Sequence, residues 1–452
     1  MRILNFKGIK VHDYLTIDLS FNQDLSIITG SNGCGKTTSI LLLQAILCPN
    51  FKDLLSIPFD RLELSFVHQK IEYQMTVKNS ESNLIIGVNS ILEPLLIPKI
   101  KFDELEFLSA RHKEIGDINE MVLKNAGVHP VLEFIKTLPS PIFIGLERRN
   151  EDVQNEKEDY NLERRRFYNK SRNEFSDYKR QFKGTLGAGL LETEFLIQDI
   201  YRRLRAIEDR LTSDLQNEIL LTSFEYIPFN SNFDVNSFQE KRNLLSRRKV
   251  IEDALSKIGY GNNAQFSRKL SEFFTKLETL LDRINTRDKG IDIEWLTNQS
   301  QIDKLSKLVK IIDDYNSNVE RGFKPINKFL NIINSYFKDS DKSIYVDKVG
   351  HLFIKRPNGK DVPIDALSSG ERQIVILFAN VMFNKYSTQS KENILIIDEP
   401  ELSLHIRWQE RFIDSLLTAS DNTQFILASH SPDIVGDHKV KCVKINHNKK
   451  DA

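Results

Sequence analysis

Hydrophobic and polar residues alternate along the first 80 positions. Leu15, Ile17 and Leu19 form one such set, Leu62, Leu64 and Phe66 a second, and Ile71, Tyr73, Met75 and Val77 a third. A period of two predicts strands with one buried face. The stretch His68-Gln69-Lys70 is expected to join the last two as a hairpin. Between these sets lies Leu25-Ser26-Ile27-Ile28-Thr29, a short continuous run typical of a buried strand. A glycine-rich stretch follows it, and then an apolar helix over Thr37–Leu47.

The period changes after residue 150. Leu196, Ile200, Leu204, Ile207, Leu211, Leu215 and Ile219 recur at steps of three and four, as do Leu270, Phe273, Leu277, Leu280 and Ile284. These are stripes on amphipathic helices. Breaks at Pro228, at Gly259-Tyr260-Gly261-Asn262-Asn263 and at Asp288-Lys289-Gly290 make the segment too interrupted for one long heptad coiled coil. Strand patterns return at Ile344–Val346, Leu352–Ile354 and Val362–Ile364, with Asn358-Gly359 as a tight turn. A helix is expected over Glu371–Phe383, strands over Asn393–Ile397 and Gln424–Ala428, and a helix between them over Ile406–Leu417.

Composition narrows the class. The 452 residues carry 63 Lys+Arg against 63 Asp+Glu, so the formal net charge is zero. With 40% hydrophobic and 28% charged residues, the chain has the make-up of a globular protein rather than a disordered one. Neutrality also argues against a highly basic nucleic-acid coat protein. The length predicts roughly three units at about 150 residues each. Three cysteines, with no C-x-x-C, suggest neither a zinc site nor a disulfide framework, which fits a reducing cytosol. No apolar leader opens the chain and no run approaches the length of a membrane span, so a cytoplasmic protein without membrane association is expected.

Four motifs carry chemistry. Gly30-Ser31-Asn32-Gly33-Cys34-Gly35-Lys36-Thr37 fits G-x-x-x-x-G-K-[ST] and sits between a buried strand and a helix, the context of a P-loop. Its backbone N–H groups and the helix N-terminus are suited to the phosphates of ATP. Lys36 is expected to reach the β- and γ-phosphates, Thr37 to ligate Mg²⁺, and Thr38 to bond a further phosphate oxygen. Cys34 reads as a small residue tolerated in the loop rather than a reactive thiol. Ile394-Leu395-Ile396-Ile397-Asp398-Glu399-Pro400 describes a buried strand with two acids at its C-terminal tip, where open α/β sheets bind ligands. Asp398 is expected to hold Mg²⁺, directly or through water, and Glu399 to orient and activate the attacking water. Leu367-Ser368-Ser369-Gly370-Glu371 presents hydroxyls and free N–H groups before a helix. Ala428-Ser429-His430-Ser431-Pro432 lies just after a buried strand.

The third motif resembles the signature of ABC-type ATPases, and the fourth the switch-histidine segment of the same superfamily. All four stand in the order that superfamily requires. The resemblance implies that Ser368, Ser369, Gly370 and Glu371 act in trans on the γ-phosphate held by a second subunit, and that His430 senses that phosphate. Leu4-Asn5-Phe6-Lys7-Gly8-Ile9 resembles the opening strand of RecF, Rad50 and SMC proteins. Asp398-Glu399-Pro400-Glu401-Leu402-Ser403-Leu404-His405 is more similar to OLD-type and related bacterial AAA ATPases, several of which serve anti-phage systems such as PARIS and Septu. That family often continues Leu-His-Pro where this chain has Leu404-His405-Ile406. The resemblance covers about residues 1–50 and 343–445.

The expected fold class is therefore α/β: a split ABC-type P-loop ATPase, a mixed β-sheet with flanking helices, carrying an inserted helical, partly coiled-coil domain. Residues 1–150 form the N-terminal ATPase lobe, 151–335 the insertion and 336–452 the C-terminal lobe. Lys36 and Leu367 lie 331 residues apart, far more than in a transporter nucleotide-binding domain. OLD-type nucleases carry a Toprim domain after the ATPase. Only 22 residues follow His430, so any effector nuclease is expected on another polypeptide.

Basic clusters at Arg164-Arg165-Arg166, Arg202-Arg203 with Arg205, and Arg247-Arg248-Lys249 could line a nucleic-acid groove. Residues 151–320 nevertheless hold 28 Lys+Arg against 30 Asp+Glu, which favours solvated helix faces. Glu147-Arg148-Arg149 could instead reach the nucleotide or a partner. The expected function is an ATP- and Mg²⁺-dependent switch with composite sites across a head-to-tail homodimer or higher oligomer, serving as sensor or scaffold for an effector nuclease in anti-phage defence. The alternatives are a RecF- or Rad50-like repair ATPase that binds DNA directly, and a scaffold that binds ATP without turnover.

Overall fold

The computed structural model describes residues 1–99, 127, 129–139, 141–145, 185–225, 246–256, 264–286, 293–383 and 393–445. Arg164–Arg166, Glu147–Arg149 and the expected breaks at 228, 259–263 and 288–290 lie outside the described residues. The chain divides into two compact units, Met1–Ile197 with Lys328–Ala452, and Gln198–Asn327. No helix among the described residues is long and apolar enough to cross a membrane.

The first unit is built on two larger sheets. Strands β1 (Arg2–Val11), β2 (Leu15–Ser20) and β3 (Leu25–Thr29) open the chain, followed by helices α1 (Lys36–Leu47) and α2 (Phe51–Ser56). Then come β4 (Arg61–His68), β5 (Ile71–Asn79), β6 (Asn83–Val88), β7 (Leu95–Pro98), α3 (Pro130–Thr137) and β8 (Ile142–Gly145). The antiparallel sheet runs β2-β1-β4-β5-β6-β7. Its alternating residues face a common core with Leu42, Leu43 and Ile46 of α1. The hairpin at Gln69-Lys70 has both residues at positive φ, as a tight two-residue turn between twisted strands requires.

The parallel sheet assembles segments from both ends of the chain. Helices α4 (Thr185–Phe224), α5 (Arg248–Leu255), α6 (Ala264–Thr286) and α7 (Ile293–Phe337) intervene, followed by a meander of β9 (Ser343–Val346), β10 (Leu352–Lys355) and β11 (Asp361–Pro363). The chain then forms α8 (Ser369–Phe383), β12 (Asn393–Asp398), α9 (Ile406–Glu410), α10 (Phe412–Ala419), β13 (Thr423–Ala428), α11 (Pro432–Val435) and β14 (Cys442–Lys444). The strand order is β14-β3-β13-β12-β8. β13 is buried at every position, as a strand covered on both faces must be. Buried Gln424 on β13 joins the two sheets. Its Oε1 accepts from the Ile3 amide at 2.8 Å, and its Nε2 donates to the carbonyls of Ile3 at 2.8 Å and Asn22 at 2.9 Å.

Two expected helices differ from the sequence reading. The segment expected as one helix over Ile406–Leu417 breaks at Arg411, whose Nη1 donates to the Ser335 carbonyl at 2.8 Å. The helix expected from Glu371 begins at Ser369, so Ser368 is its cap. This start is a capping box: Ser368 N–H donates to Glu371 Oε2 at 2.8 Å, and Glu371 N–H to Ser368 Oγ at 3.4 Å. Arg372 donates to the carbonyls of Leu367 at 2.9 Å and Asp365 at 2.5 Å, which ties the preceding turn to the helix.

The second unit is helical. Leu215, Ile251, Ala254, Phe274, Leu277, Ile302, Val309 and Ile312 form its core. The stripe on α4 supplies Leu215 with Leu211 and Ile219 beside it, but Ile207, which shares the same period, is exposed. Periodicity gives a face, whereas burial depends on a neighbour being present to cover it.

Glu371 supplies a pH test of the α8 anchor. Burial pushes its carboxyl up, but the Lys342 ammonium 2.9 Å away and the Ser368 donors outweigh burial and hold it below the ordinary carboxylate value. A depressed folded value contributes stability that is present above the unfolded value and is lost as pH falls through the folded one. Lys342→Met removes the strongest stabiliser of the charged form. It should lower stability at neutral pH and flatten the loss on acidification through the carboxylate range, measured as urea midpoints over that range. An acid slope equal to the wild type would exclude this ion pair as a contributor.

Candidate nucleotide site

The C-terminal ends of β3, β13 and β12 lie side by side. Ile28 pairs with Ala428, and Ala428 with Asp398, so the segments that follow these strands emerge at one edge of the sheet. The loop after β3 is Gly30–Gly35. Gly33 and Gly35 take φ of 79° and 94°, a conformation that L side chains rarely adopt. A Cβ on Gly35 would also lie 3.3 Å from Leu15 Cδ1. At Gly30 the constraint is steric: a Cβ there would stand 2.5 Å from Cys34 Sγ. The Cys34 side chain is buried and fills that space. Ser31 and Asn32 are exposed at the tip of the loop.

Lys36 is buried to 7% exposure, and its Nζ donates to the carbonyls of Gly30 at 2.9 Å and Ser31 at 3.2 Å. The ammonium is thus held over the loop. Thr37 Oγ1 donates to Asp398 Oδ1 at 3.4 Å, which joins the two motifs. Thr38 Oγ1 lies 3.4 Å from His12 Nε2. His12 escaped the sequence reading because it sits in the β1–β2 turn, where no motif marks it. Glu399 follows Asp398 at φ 48°, with its N–H donating to the Ala428 carbonyl at 2.9 Å. This left-handed backbone is uncommon for a residue with a side chain and clusters at functional sites.

His430 follows β13 and lies against Glu401, the second acid after Asp398. Ser429 Oγ and the His430 amide each donate to the Glu401 carboxylate at 2.9 Å. Glu401 lies within the segment Asp398–His405, but nothing in its spacing signalled a link to residue 430. His405 caps α9, its Nδ1 accepting from the Arg407 amide at 3.4 Å. Among the described residues the hydrogen bonds of Ser368–Glu371 run to their own cap and to Lys342, with none to Gly30–Thr38.

These groups suit a nucleoside triphosphate with a divalent cation. Left-handed glycines turn successive N–H groups toward one concavity, and the helix N-terminus adds to it. Thr37 and Asp398 offer the hard oxygens that Mg²⁺ prefers and would hold it. When bound, that ion neutralises phosphate charge.

The family model for the AAA ATPase domain matches residues 1–435. The chain belongs to that family. Over 196 residues this AAA ATPase domain is 27% identical to the Retron Vc95 probable ATPase of Vibrio cholerae serotype O1 biovar El Tor, covering 38% of either chain. Over 448 residues it is 22% identical to the Retron Ec83 probable ATPase of Escherichia coli, covering 95% of this chain and 68% of that one. Among solved structures, it aligns with the Smc head domain from Pyrococcus furiosus, bound to the C-terminal domain of ScpA, at 12% identity and TM-score 0.37. That alignment covers 98% of this chain and 96% of that one. The recombination mediator RecF aligns at 12% identity and TM-score 0.35, with the same coverage. The fold is α/β, with mixed sheets, flanking helices and a long helical insertion, as the sequence led us to expect.

Four of the clustered arginines of the second unit are paired within it, while Arg202 is exposed. Arg203 pairs with Asp199 at 2.6 Å. Arg205 donates to Tyr201 Oη at 2.7 Å and pairs with Glu208. Arg247 pairs with Asp313, and Arg248 with Glu252 at 2.9 Å.

The Gly30–Cys34 contact gives a compensation test. Gly30→Ala should weaken ATP binding about 10-fold or more, equivalent to about 1.4 kcal/mol. Adding Cys34→Ala removes the clashing sulfur and should recover most of that loss in calorimetric titration. A double variant as weak as the single would show that the clash does not set the requirement for glycine.

Proposed function

We propose that this chain is a Mg²⁺-dependent ATPase that acts as a switch between subunits. The observation that carries the reading is the Thr37–Asp398 contact at 3.4 Å. It joins residues 361 positions apart beside a buried P-loop lysine. In this reading Gly30–Thr38 cradle the phosphates, and Lys36 neutralises their charge. Glu399 orients and activates the attacking water, and His430 responds to the γ-phosphate. Ser368, Ser369 and Gly370 meet the nucleotide of a second copy. Glu371, whose carboxylate is engaged by the cap and Lys342, holds that turn in shape.

The likeness to two retron ATPases supports a place in a bacterial defence system, with the ATPase as sensor or scaffold for an effector nuclease on another chain. The internal pairing of Arg203, Arg205, Arg247 and Arg248 supports a protein partner ahead of DNA.

Glu399→Gln tests the chemistry. It should bind ATP and Mg²⁺, lose about 100-fold or more in kcat, the scale of a lost general base, and accumulate as an associated form in light scattering. Wild-type turnover would remove Glu399 as the base. Composite sites are tested by mixing Lys36→Ala with Gly370→Asp subunits. A mixture more active than either variant alone supports sites shared between subunits, and equal activity excludes them.

A further inference from the structure

We propose that Glu401 is the positioning residue for His430, fixing both the plane of its ring and the nitrogen that carries the hydrogen. The inference rests on the reading of His430 as the residue that meets the nucleotide. A chain of contacts carries it. The Glu401 side chain is 7% exposed, and its Oε1 lies 2.9 Å from His430 Nδ1. The same oxygen accepts the His430 backbone N–H at 2.9 Å. Oε2 accepts from Ser429 Oγ at 2.9 Å. Ser429 Oγ in turn accepts from the Ser431 amide at 3.1 Å, and Ser431 Oγ donates to Gln409 Oε1 at 2.7 Å. Gln409 is itself fixed, its Nε2 donating to the Leu404 carbonyl at 2.8 Å.

The chemistry follows from donor and acceptor roles. An ionised carboxylate can only accept, so a ring nitrogen at 2.9 Å from it carries the hydrogen. That places the hydrogen on Nδ1 in both the neutral and the charged ring. Nε2 is then the ring atom available to the nucleotide in both states. A neutral imidazole left to water prefers its hydrogen on Nε2, so Glu401 selects the less common form. The carboxylate is itself held on its far side by Ser429, so the ring inherits the rigidity of buried structure. The backbone contact adds a second constraint, because one oxygen grips both the amide and the ring of the same residue. A partner that fixes the tautomer and orientation of a working histidine is a recurring device.

Two readouts separate positioning from simple loss of structure. The first is the ¹⁵N shift pattern of the His430 ring in nucleotide-free protein, at a pH where the ring is neutral, with His430→Ala giving the assignment. Wild type should show the hydrogen on Nδ1, and Glu401→Ala should move it predominantly to Nε2. The second is ATP turnover. Glu401→Ala should lower kcat about 10- to 100-fold, the usual effect of losing such a partner, with KM changed by no more than about 3-fold. Glu401→Gln can turn its carbonyl to His430 and its amide to Ser429 Oγ, so it should keep the Nδ1 form and recover most of the turnover. In a His430→Ala background, Glu401→Ala should cost nothing further. The proposal is overturned if wild type carries the hydrogen on Nε2, a result that needs no variant. It is also overturned if Glu401→Ala leaves ring and kcat unchanged, or lowers kcat equally without His430. Absence of ATPase activity in wild type would instead defeat the proposed function and leave the ring measurement standing.

Discussion

The constraint on which the rest depends is parallel pairing between strands from opposite ends of the chain. β3 belongs to the first 30 residues, β12 and β13 to the last 60, yet Ile28, Ala428 and Asp398 share one register. A slip of one residue would turn each buried side chain to the other face and draw the loops out of line. The sheet therefore helps set the distance from Thr37 to Asp398, because Asp398 is itself a paired residue and Thr37 opens the helix that follows the loop after β3. Gln424 extends this constraint to the antiparallel sheet. A buried amide whose donors and acceptor are all used is costly to misplace, so it specifies how the two sheets join.

The turn at Leu367–Glu371 shows how one short segment divides its labour. Ser368 and Glu371 close a capping box, and Lys342 and Arg372 brace the turn from either side. Ser369 and Gly370 sit within the first helical turn, where backbone N–H groups lack intrahelical partners. The glutamate is therefore structural in its contacts even though it lies inside a sequence pattern read as functional. A pattern match weights all of its letters equally. Geometry separates Ser368 and Glu371, which shape the turn, from Ser369 and Gly370, which take no part in the capping box.

Much of the fold was legible, for reasons that are local. Alternation gave β2, β4 and β5, and continuous apolar runs gave β3, β12 and β13, because burial on one face or two leaves a direct trace in sequence. The turn after β3 was legible because Gly33 and Gly35 answer to backbone geometry rather than to neighbours. What stayed hidden was set by distant partners. Arg411 breaks a helix that periodicity read as continuous, while its side chain reaches Ser335. Ile207 keeps the period of a buried stripe and is exposed. His12 beside Thr38 and Glu401 beside His430 depend on which turns meet at the sheet edge. Their residue types carry no spacing that announces it.

Charge neutrality acquires a local meaning from these contacts. A net charge of zero describes the chain as a whole and leaves room for a basic groove anywhere on it. In the second unit the groove would need arginines free to face phosphate. Arg203, Arg205, Arg247 and Arg248 instead have carboxylate partners within that unit, and Arg205 and Arg248 also lie over aromatic rings. Exposed ion pairs of this kind add little stability. They do reduce what each guanidinium can offer a polyanion, because binding would first have to break the pair. Counterion release scales with the number of phosphates neutralised, so a surface whose cations are already paired gains little from it. Arg203, Arg205, Arg247 and Arg248 therefore offer a polyanion less than their number suggests.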